Sequence, residues 1–410
     1  MDALTFLHIA DLHLDSPFSG LTNLPTKVFK RVQESTFTSL SRLINIAIEQ
    51  KVDFIIIAGD LFDGEDRSLR AQSRFRKEME RLREHGIEAF VTHGNHDHLS
   101  GNWPHFEWPS NVHVFQNENV EVIPYLKNGE TVANIYGFSY AKKAVLENKT
   151  KFYEKKDGAT YHIGILHGSK EGESSHSRYA PFLLSDLQKK GFDYWALGHI
   201  HTREILAEDP PIIYPGNIQG RHKKETGEKG GYLVKLSKAK TEYTFFPTSD
   251  LVWENTTIDI SELTSFDQLV DKSLSHLESL RKETQGLFVT IEYIGTGPLL
   301  TQLQENPIKE DLLSLLNDDI SEKNFVYVVG LKQNFQIQIN RQKLKQDSHF
   351  FGDLLENMET YQDFDHALLP LRNNQSFRRH IDTFTNEELQ EILHDAENLI
   401  LRELYSSNRR

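Results

Sequence analysis

The chain has 410 residues, a formal charge of −14 and no cysteine. The length allows two to three domains, the 38% apolar and 26% charged shares are those of a water-soluble globular chain, and no stretch approaches the roughly 18 apolar residues of a membrane span. Disulfides and thiolate metal sites are excluded, which fits a reducing cytoplasm, and the acidic balance argues against a surface coated in positive charge for unaided nucleic-acid binding.

From residue 1 to about 236, strand-like and helix-like segments alternate, and no signal-peptide pattern precedes the first of them. Residues 4–10 read as a buried strand. Residues 26–50 follow as a helix, with Phe29, Val32, Leu40, Leu43, Ile44, Ala47 and Ile48 recurring on one face. Residues 54–58 read as a strand, 68–84 as a charged helix ended near Gly86, and 89–92 as a strand. Further strands are expected at 112–115, 120–123, 133–138 and 161–166, a helix near 181–190, and strands at 194–197, 212–214 and 231–236. Apolar runs with polar loops at one end suit buried strands covered by helices on both faces, with the site at the loop end.

Past about residue 250 the order becomes strand (252–258), helix (265–283), strand (287–294), helix (309–316) and strand (325–331). The division expected is 1–245, a compact α+β domain over 250–335, and a helical region over 345–410. In that last region Leu389, Ile392, Leu393, Ala396, Ile400 and Leu404 form an apolar stripe. The stripe reads either as packing within the chain or as a docking surface for a partner helix.

Four short pieces each follow one of the buried runs: Asp11-Leu12-His13, Gly59-Asp60, Gly94-Asn95-His96-Asp97 and Gly198-His199-Ile200-His201. Leu166-His167-Gly168 adds a fifth at another strand end. Carboxylate, imidazole and amide oxygen without sulfur suit manganese, iron, zinc or magnesium. Two such ions about 3.5–4 Å apart can clamp the attacking and leaving oxygens of a phosphate ester. One ion would hold Asp11, His13, Asp60 and His201; the other would hold Asp60, Asn95, His167 and His199, with Asp60 shared. His96 is better placed as an acid for the leaving oxygen than as a ligand. Asp63 and Asp97 are expected to fix imidazole tautomers.

The chain has 19 histidines, and His8, His85, His105, His113, His162 and His394 read as bystanders. Two basic groups stand out against the acidic total: Arg221-His222-Lys223-Lys224, and Arg67, Arg70, Arg74, Arg76 and Lys77. Each reads as a nucleic-acid contact or as an ordinary solvated surface, a turn in the first case and a helix face in the second.

The five elements resemble the calcineurin-like metallophosphoesterases, whose pattern is D-x-H, G-D, G-N-H-D/E, H and G-H-x-H. The stretches "HIADLHLD", "AGDLFD", "THGNHD" and "ALGHIH", with "IIYPGN" after them, are similar to the SbcD-type DNA repair exonucleases, and within these to the YhaO group. The resemblance is carried by residues 1 to about 240 and implies an α/β fold: a metallophosphoesterase β-sandwich core flanked by helices. Beyond it, domain order implies a small capping domain and helices that engage an SMC-like coiled-coil ATPase. The implied activity is a manganese-dependent DNA nuclease, homodimeric through the phosphoesterase domain and acting in DNA repair. Leu12, Asp15 and Asn217 depart from residues frequent in the nuclease pattern; none is a ligand position, so they bear on the groove and not on the metals. Two other readings use the same residues: a phosphodiesterase or phosphatase for a small nucleotide or phosphoprotein, and a non-catalytic scaffold of an ATPase complex.

Overall fold

The computed structural model describes residues 3–21, 24–63, 68–100, 106–171, 179–295, 299, 302–303, 306–318, 324–335, 349–372 and 384–407. Arg67 and His105 lie outside the described residues, as does the side chain of Leu404. The chain forms two compact units. The first comprises Met1–Asn255, Leu277–Thr290 and Asn317–Val329; the second comprises Thr256–His276, Ile291–Leu316 and Gly330–Arg410.

The first unit begins with β1 (Leu4–Ile9), α1 (Thr26–Glu49), β2 (Phe54–Ala58), α2 (Leu69–Glu84), β3 (Glu88–Thr92) and β4 (Val112–Val114). It continues through β5 (Glu121–Lys127), β6 (Glu130–Gly137), β7 (Tyr161–His167), the five-residue α3 (Leu184–Gln188) and β8 (Tyr194–Gly198). Four strands follow: β9 (Glu204–Glu208), β10 (Pro211–Tyr214), β11 (Gly230–Leu236) and β12 (Thr241–Pro247). One six-stranded sheet has the order β12-β11-β1-β2-β3-β4 and the other β5-β6-β7-β8-β10-β9. Strands β1 to β4 run parallel, as do β6, β7, β8 and β10. The antiparallel strands lie at the margins.

The apolar run of β2 shows why these strands read as continuously hydrophobic. Successive side chains point to opposite faces, so Phe54, Ile56 and Ala58 enter one core and Ile55 and Ile57 another. The first core lies between the sheets, where Phe6, Phe90 and the β2 residues meet Ile135, Ile163, Ile165, Tyr194, Ala196 and Ile213. The second lies under α1 and α2, through Leu40, Leu43, Ile44, Phe75, Met79 and Leu82. The strands are thus buried on both faces, but one cover is the opposite sheet where helices on both faces were expected. Each fully buried Ile, Leu or Phe contributes about 1.5–3 kcal/mol relative to exposure.

The expected stripe of α1 needs one correction: Phe29 is half exposed, and Val28 and Phe37 are buried. Val28 and Val32, one turn apart, pack with Trp253 and Phe288 and turn Phe29 outward. Helix α2 opens on Ser68, whose Oγ accepts the Ala71 N–H at 2.9 Å. The helix expected over 181–190 contracts to α3, and β9 and β12, both marginal strands, were not anticipated.

Strands β13 (Leu251–Asp259), β14 (Gly286–Gly295) and β15 (Val326–Phe335) form a three-stranded sheet, and the division between the units falls within all three. The second unit carries α4 (Phe266–Leu280, its last turn assigned to the first unit), α5 (Asn306–Leu316), α6 (His349–Glu359), α7 (Phe364–Ala367), α8 (Leu369–Arg372) and α9 (Asn386–Ser407). Among the described residues, 349–407 carry helices and no strand. On α9, Leu389, Ile392, Leu393 and Ala396 are half-buried, whereas Leu399 and Ile400 are exposed.

Candidate metal centre

The C-terminal ends of β1, β2 and β3 in one sheet, and of β7 and β8 in the other, arrive at one place. The Asp11 N–H donates to Gly59 O (3.1 Å), His13 N–H to Asp60 O (3.0 Å) and Gly168 N–H to Gly198 O (3.1 Å). The sheets approach so closely here that a Cβ on Gly198 would lie 1.8 Å from Ala58 O. A Cβ on Gly94 would lie 2.3 Å from Asp60 Oδ1 and 2.6 Å from His167 Nε2. The glycines of these two motifs therefore make room for neighbouring ligand atoms or backbone.

The expected ligands fall into two groups. His13 Nε2 faces His201 Nε2 at 3.1 Å, and one ligand atom each of Asp11, His13 and His201 lies within 4.8 Å of the others. Asn95 Oδ1 sits 3.0 Å from His167 Nε2 and 3.1 Å from His199 Nδ1. Asp60 stands between, its Oδ2 3.4 Å from His167 Nε2 and 3.8 Å from His13 Nε2. Asp11, His13, Asp60 and His199 all have positive φ, of 51°, 42°, 50° and 99°. Non-glycine residues seldom take that conformation, and its cost is characteristic of functional sites.

Hydrogen bonds fix which nitrogen of His167 and of His201 faces inward. His167 Nδ1 donates to Ala58 O at 2.9 Å, leaving Nε2 for the centre. His201 Nδ1 donates to Glu225 Oε1 at 2.6 Å, and Glu225 Oε2 accepts the Arg221 N–H at 2.6 Å. Asp11 accepts the His199 N–H at 3.1 Å, and Asp60 Oδ1 accepts the His96 N–H at 2.9 Å.

His96 lies beside these groups with its side chain 40% exposed and its Nδ1 2.7 Å from Asp63 Oδ1. Asp63 is in turn held by Ser16 and by Arg221 Nη1, the latter at 2.9 Å. Asp97 does something other than expected. Its Oδ2 accepts from His93 Nδ1 and from the Leu61 N–H, both at 2.9 Å, and its Oδ1 accepts the Gly94 N–H at 2.7 Å. It braces the loop that carries Asn95, and the imidazole it holds, that of His93, is not among the expected ligands. Glu225 was missed: it lies in a loop that reads as an ordinary charged turn, and no local spacing links it to His201, 24 residues earlier.

The basic groups resolve separately. Arg221 turns inward to Asp63, while Lys223 and Lys224 are exposed. Arg70 pairs with Asp15 at 3.0 Å and with Glu34, Arg74 pairs with Glu34, and Arg76 pairs with Glu80 at 3.1 Å. These are contacts of a helix surface. His8, a bystander as expected, is buried between Tyr194 Oη and Leu197 O.

The electrostatics favour a cation. Burial pushes the His13 imidazole down to about 3 and the Asp11 carboxyl up. Burial would also lower His167, but the charge of Asp60, with its hydrogen bond and the charge of Asp11, raises it to about 9. For Asp60 the cost of burial is outweighed by His167 and His13, which hold it below the usual carboxylate range. Two buried carboxylates thus keep a proton on the nearest imidazole, in a cluster of oxygen and nitrogen donors in which His167 and His201 are held from behind. These residues fit divalent metal ions.

Comparison with known proteins agrees with this geometry. Residues 4–203 match the calcineurin-like phosphoesterase family, and residues 253–328 match the middle domain of metallophosphoesterase YhaO. The chain is 43% identical over 406 residues to the uncharacterized metallophosphoesterase YhaO of Bacillus subtilis (strain 168), covering 98% of both chains. It is 29% identical to the DNA double-strand break repair protein Mre11 of Sulfurisphaera tokodaii, over 58% of this chain and 61% of that one. With Mre11 of Sulfolobus acidocaldarius it shares 26% identity over 73% and 79%. No helix among the described residues is long and apolar enough to cross a membrane. The chain belongs to the calcineurin-like metallophosphoesterases, a family of hydrolases that use a dinuclear metal site.

Proposed function

We propose that the protein is a DNA nuclease subunit acting in DNA repair, which hydrolyses phosphodiester bonds with two manganese ions. The observation that carries the chemistry is the convergence of seven donors into two groups about Asp60. Likeness to Mre11 relatives supports DNA as the substrate. Asp11, His13, Asp60 and His201 would hold one ion, and Asp60, Asn95, His167 and His199 the other. When bound, the ions supply a water nucleophile active at neutral pH and neutralise charge on the phosphate.

His96 acts as the acid. Its Nδ1–H is held by Asp63, which leaves Nε2 to give a proton to the leaving oxygen, and its partial exposure lets a substrate reach it. The hydrogen bond to Asp63 raises the His96 pKa, burial opposing, so the proton is retained toward neutral pH. Ser16 and Arg221 keep Asp63 in place.

We propose the same division of labour along the chain. Residues 1–245 carry the chemistry, 250–335 cap it, and 345–410 dock an SMC-like coiled-coil ATPase; the phosphoesterase domain forms a homodimer. The exposed Leu399 and Ile400 on α9 support docking, and the absence of cysteine supports a cytoplasmic location.

The test is incubation of the purified chain with manganese and single- or double-stranded DNA, and separately with bis-p-nitrophenyl phosphate. DNA cleavage supports the reading. Turnover of the small ester without DNA cleavage, even with a coiled-coil ATPase added, replaces it with a small-substrate phosphodiesterase. No turnover of either substrate leaves a scaffold.

A further inference from the structure

The loops that carry Ser16 and Glu225 help build a cavity that the proposed hydrolysis leaves unused. Ser19 and Gly20, then His222, Lys223 and Lys224, and finally Trp253 of β13 and Val329 of β15 enclose about 360 Å³. The two loops are tied together, since the Ser19 N–H donates to Arg221 O at 3.2 Å and Arg221 Nη1 to Ser16 Oγ at 2.6 Å. One wall is fixed: Trp253 is buried, its ring stacks on Phe18, and its Nε1 donates to Gly220 O at 3.0 Å.

The cavity adjoins the metal centre through one carboxylate. His222 Nε2 lies 3.4 Å from Glu225 Oε1, the oxygen that holds His201 Nδ1. Lys223 and Lys224 are exposed beside it, and in a chain of net charge −14 such a local cluster is a marked reversal. The volume lies at the lower end of the roughly 300–1,000 Å³ of small-ligand sites, room for a nucleotide-sized group and not for a duplex. Ammonium groups at the rim of such a space suit an anionic oxygen group.

We infer that this cavity is a subsite for a backbone phosphate of a single-stranded segment, adjacent to the phosphodiester being cut. The inference rests on the nuclease reading and deepens it. The cavity would select a strand over a small ester, because only a strand carries a second phosphate to occupy it. It would also give the segment matched by the YhaO middle domain a part in substrate choice, since Trp253 lies at its start and Val329 just beyond its end.

The test is binding of a fluorescent single-stranded oligonucleotide to the full chain, with chelator present so that nothing is cleaved. The proteins compared are the wild type, Lys223→Glu/Lys224→Glu, and Ser19→Glu, which places a carboxylate in the cavity without removing a lysine. Unchanged thermal unfolding confirms that each variant folds. Affinity is expected to fall about tenfold in the double variant. Its dependence of log K on log salt should flatten by about 0.7, the release expected for one phosphate on a single strand. Ser19→Glu should weaken binding in the same direction. Unchanged affinity and slope in folded variants would overturn the inference. So would a free mononucleotide that competes as well as the strand, because the cavity would then be a mononucleotide site. If the oligonucleotide binds as expected but manganese elicits no DNA cleavage, the nuclease reading fails while the nucleic-acid subsite stands.

Discussion

Glu225 holds His201. Its Oε1 is 2.6 Å from His201 Nδ1, and its other oxygen is occupied by the Arg221 N–H. The contact commits the Nδ1 proton to the carboxylate and presents Nε2 toward His13. Burial of Glu225 would raise its carboxyl, but the hydrogen bond and charge of His201 hold it below the usual range. Carboxylates behind ligand histidines typically account for about 10–100-fold in metal affinity. Glu225→Ala should lose that much for manganese, measured by competition with a chelator. Glu225→Gln, which keeps an acceptor, should lose less. Equal affinity in all three proteins would show that Glu225 plays no part in holding the ligand.

This contact also marks where reading the sequence stops. Asp11, His13, Asp60, Asn95, His167, His199 and His201 were legible because each lies within four residues of a strand end, and strand ends are written in local apolar runs. Glu225, Ser16 and Arg221 act through loop contacts that no spacing encodes. The same division holds for the fold. Strands such as β2 announce themselves because both their faces are buried. The marginal β9 and β12, with mostly exposed or half-buried residues, carry no comparable pattern. Phe29 misled because its helical spacing was right, yet the partner of that turn, Trp253, lies more than 200 residues away and takes Val28 and Val32 instead.

The pairing of His96 with Asp63 has a pH signature. The acid must be protonated to work, so kcat/KM should fall as pH rises through the His96 pKa. Asp63 raises that pKa, chiefly by its hydrogen bond. Asp63→Asn should therefore lower it and move the alkaline limb of the profile to lower pH. His96→Ala should cost about 10²–10⁴-fold in turnover and leave metal content near wild type. Metal loss from that variant would place His96 among the ligands, and an unmoved limb in Asp63→Asn would assign the limb to another group.

Gly94 offers a test of the centre that removes no ligand. A methyl group there would meet Asp60 Oδ1 at 2.3 Å and His167 Nε2 at 2.6 Å, far inside contact distance. Gly94→Ala should displace the carboxylate shared by the two donor groups. Bound metal should drop from two ions toward one or none per chain, with turnover reduced by about 10²-fold, the order reported for small misplacements of reacting groups. Metal analysis and ester hydrolysis on the same preparation check this. Full metal content with normal turnover would mean that the two groups have more slack than these distances allow.

Asp250 ties α1 to the start of β13, and its loss should be felt in stability. Its carboxylate accepts from Arg31 Nε at 2.8 Å and Arg42 Nη2 at 2.9 Å, and it is nearly buried. Arg31 also donates to Thr284 O at 3.0 Å, so it cannot swing away without breaking a second bond. Removing one partner of a buried ion pair costs about 3–5 kcal/mol. The lower end applies to Asp250→Ala, because the Arg42 side chain is 34% exposed and can regain water. Arg42→Ala should cost about 1 kcal/mol or less for the same reason. Chemical denaturation followed by tryptophan fluorescence would rank the two, with Trp253 three residues from Asp250 contributing to the signal. Equal losses would mean that Arg42 carries the whole contribution and that the Arg31 contact adds nothing.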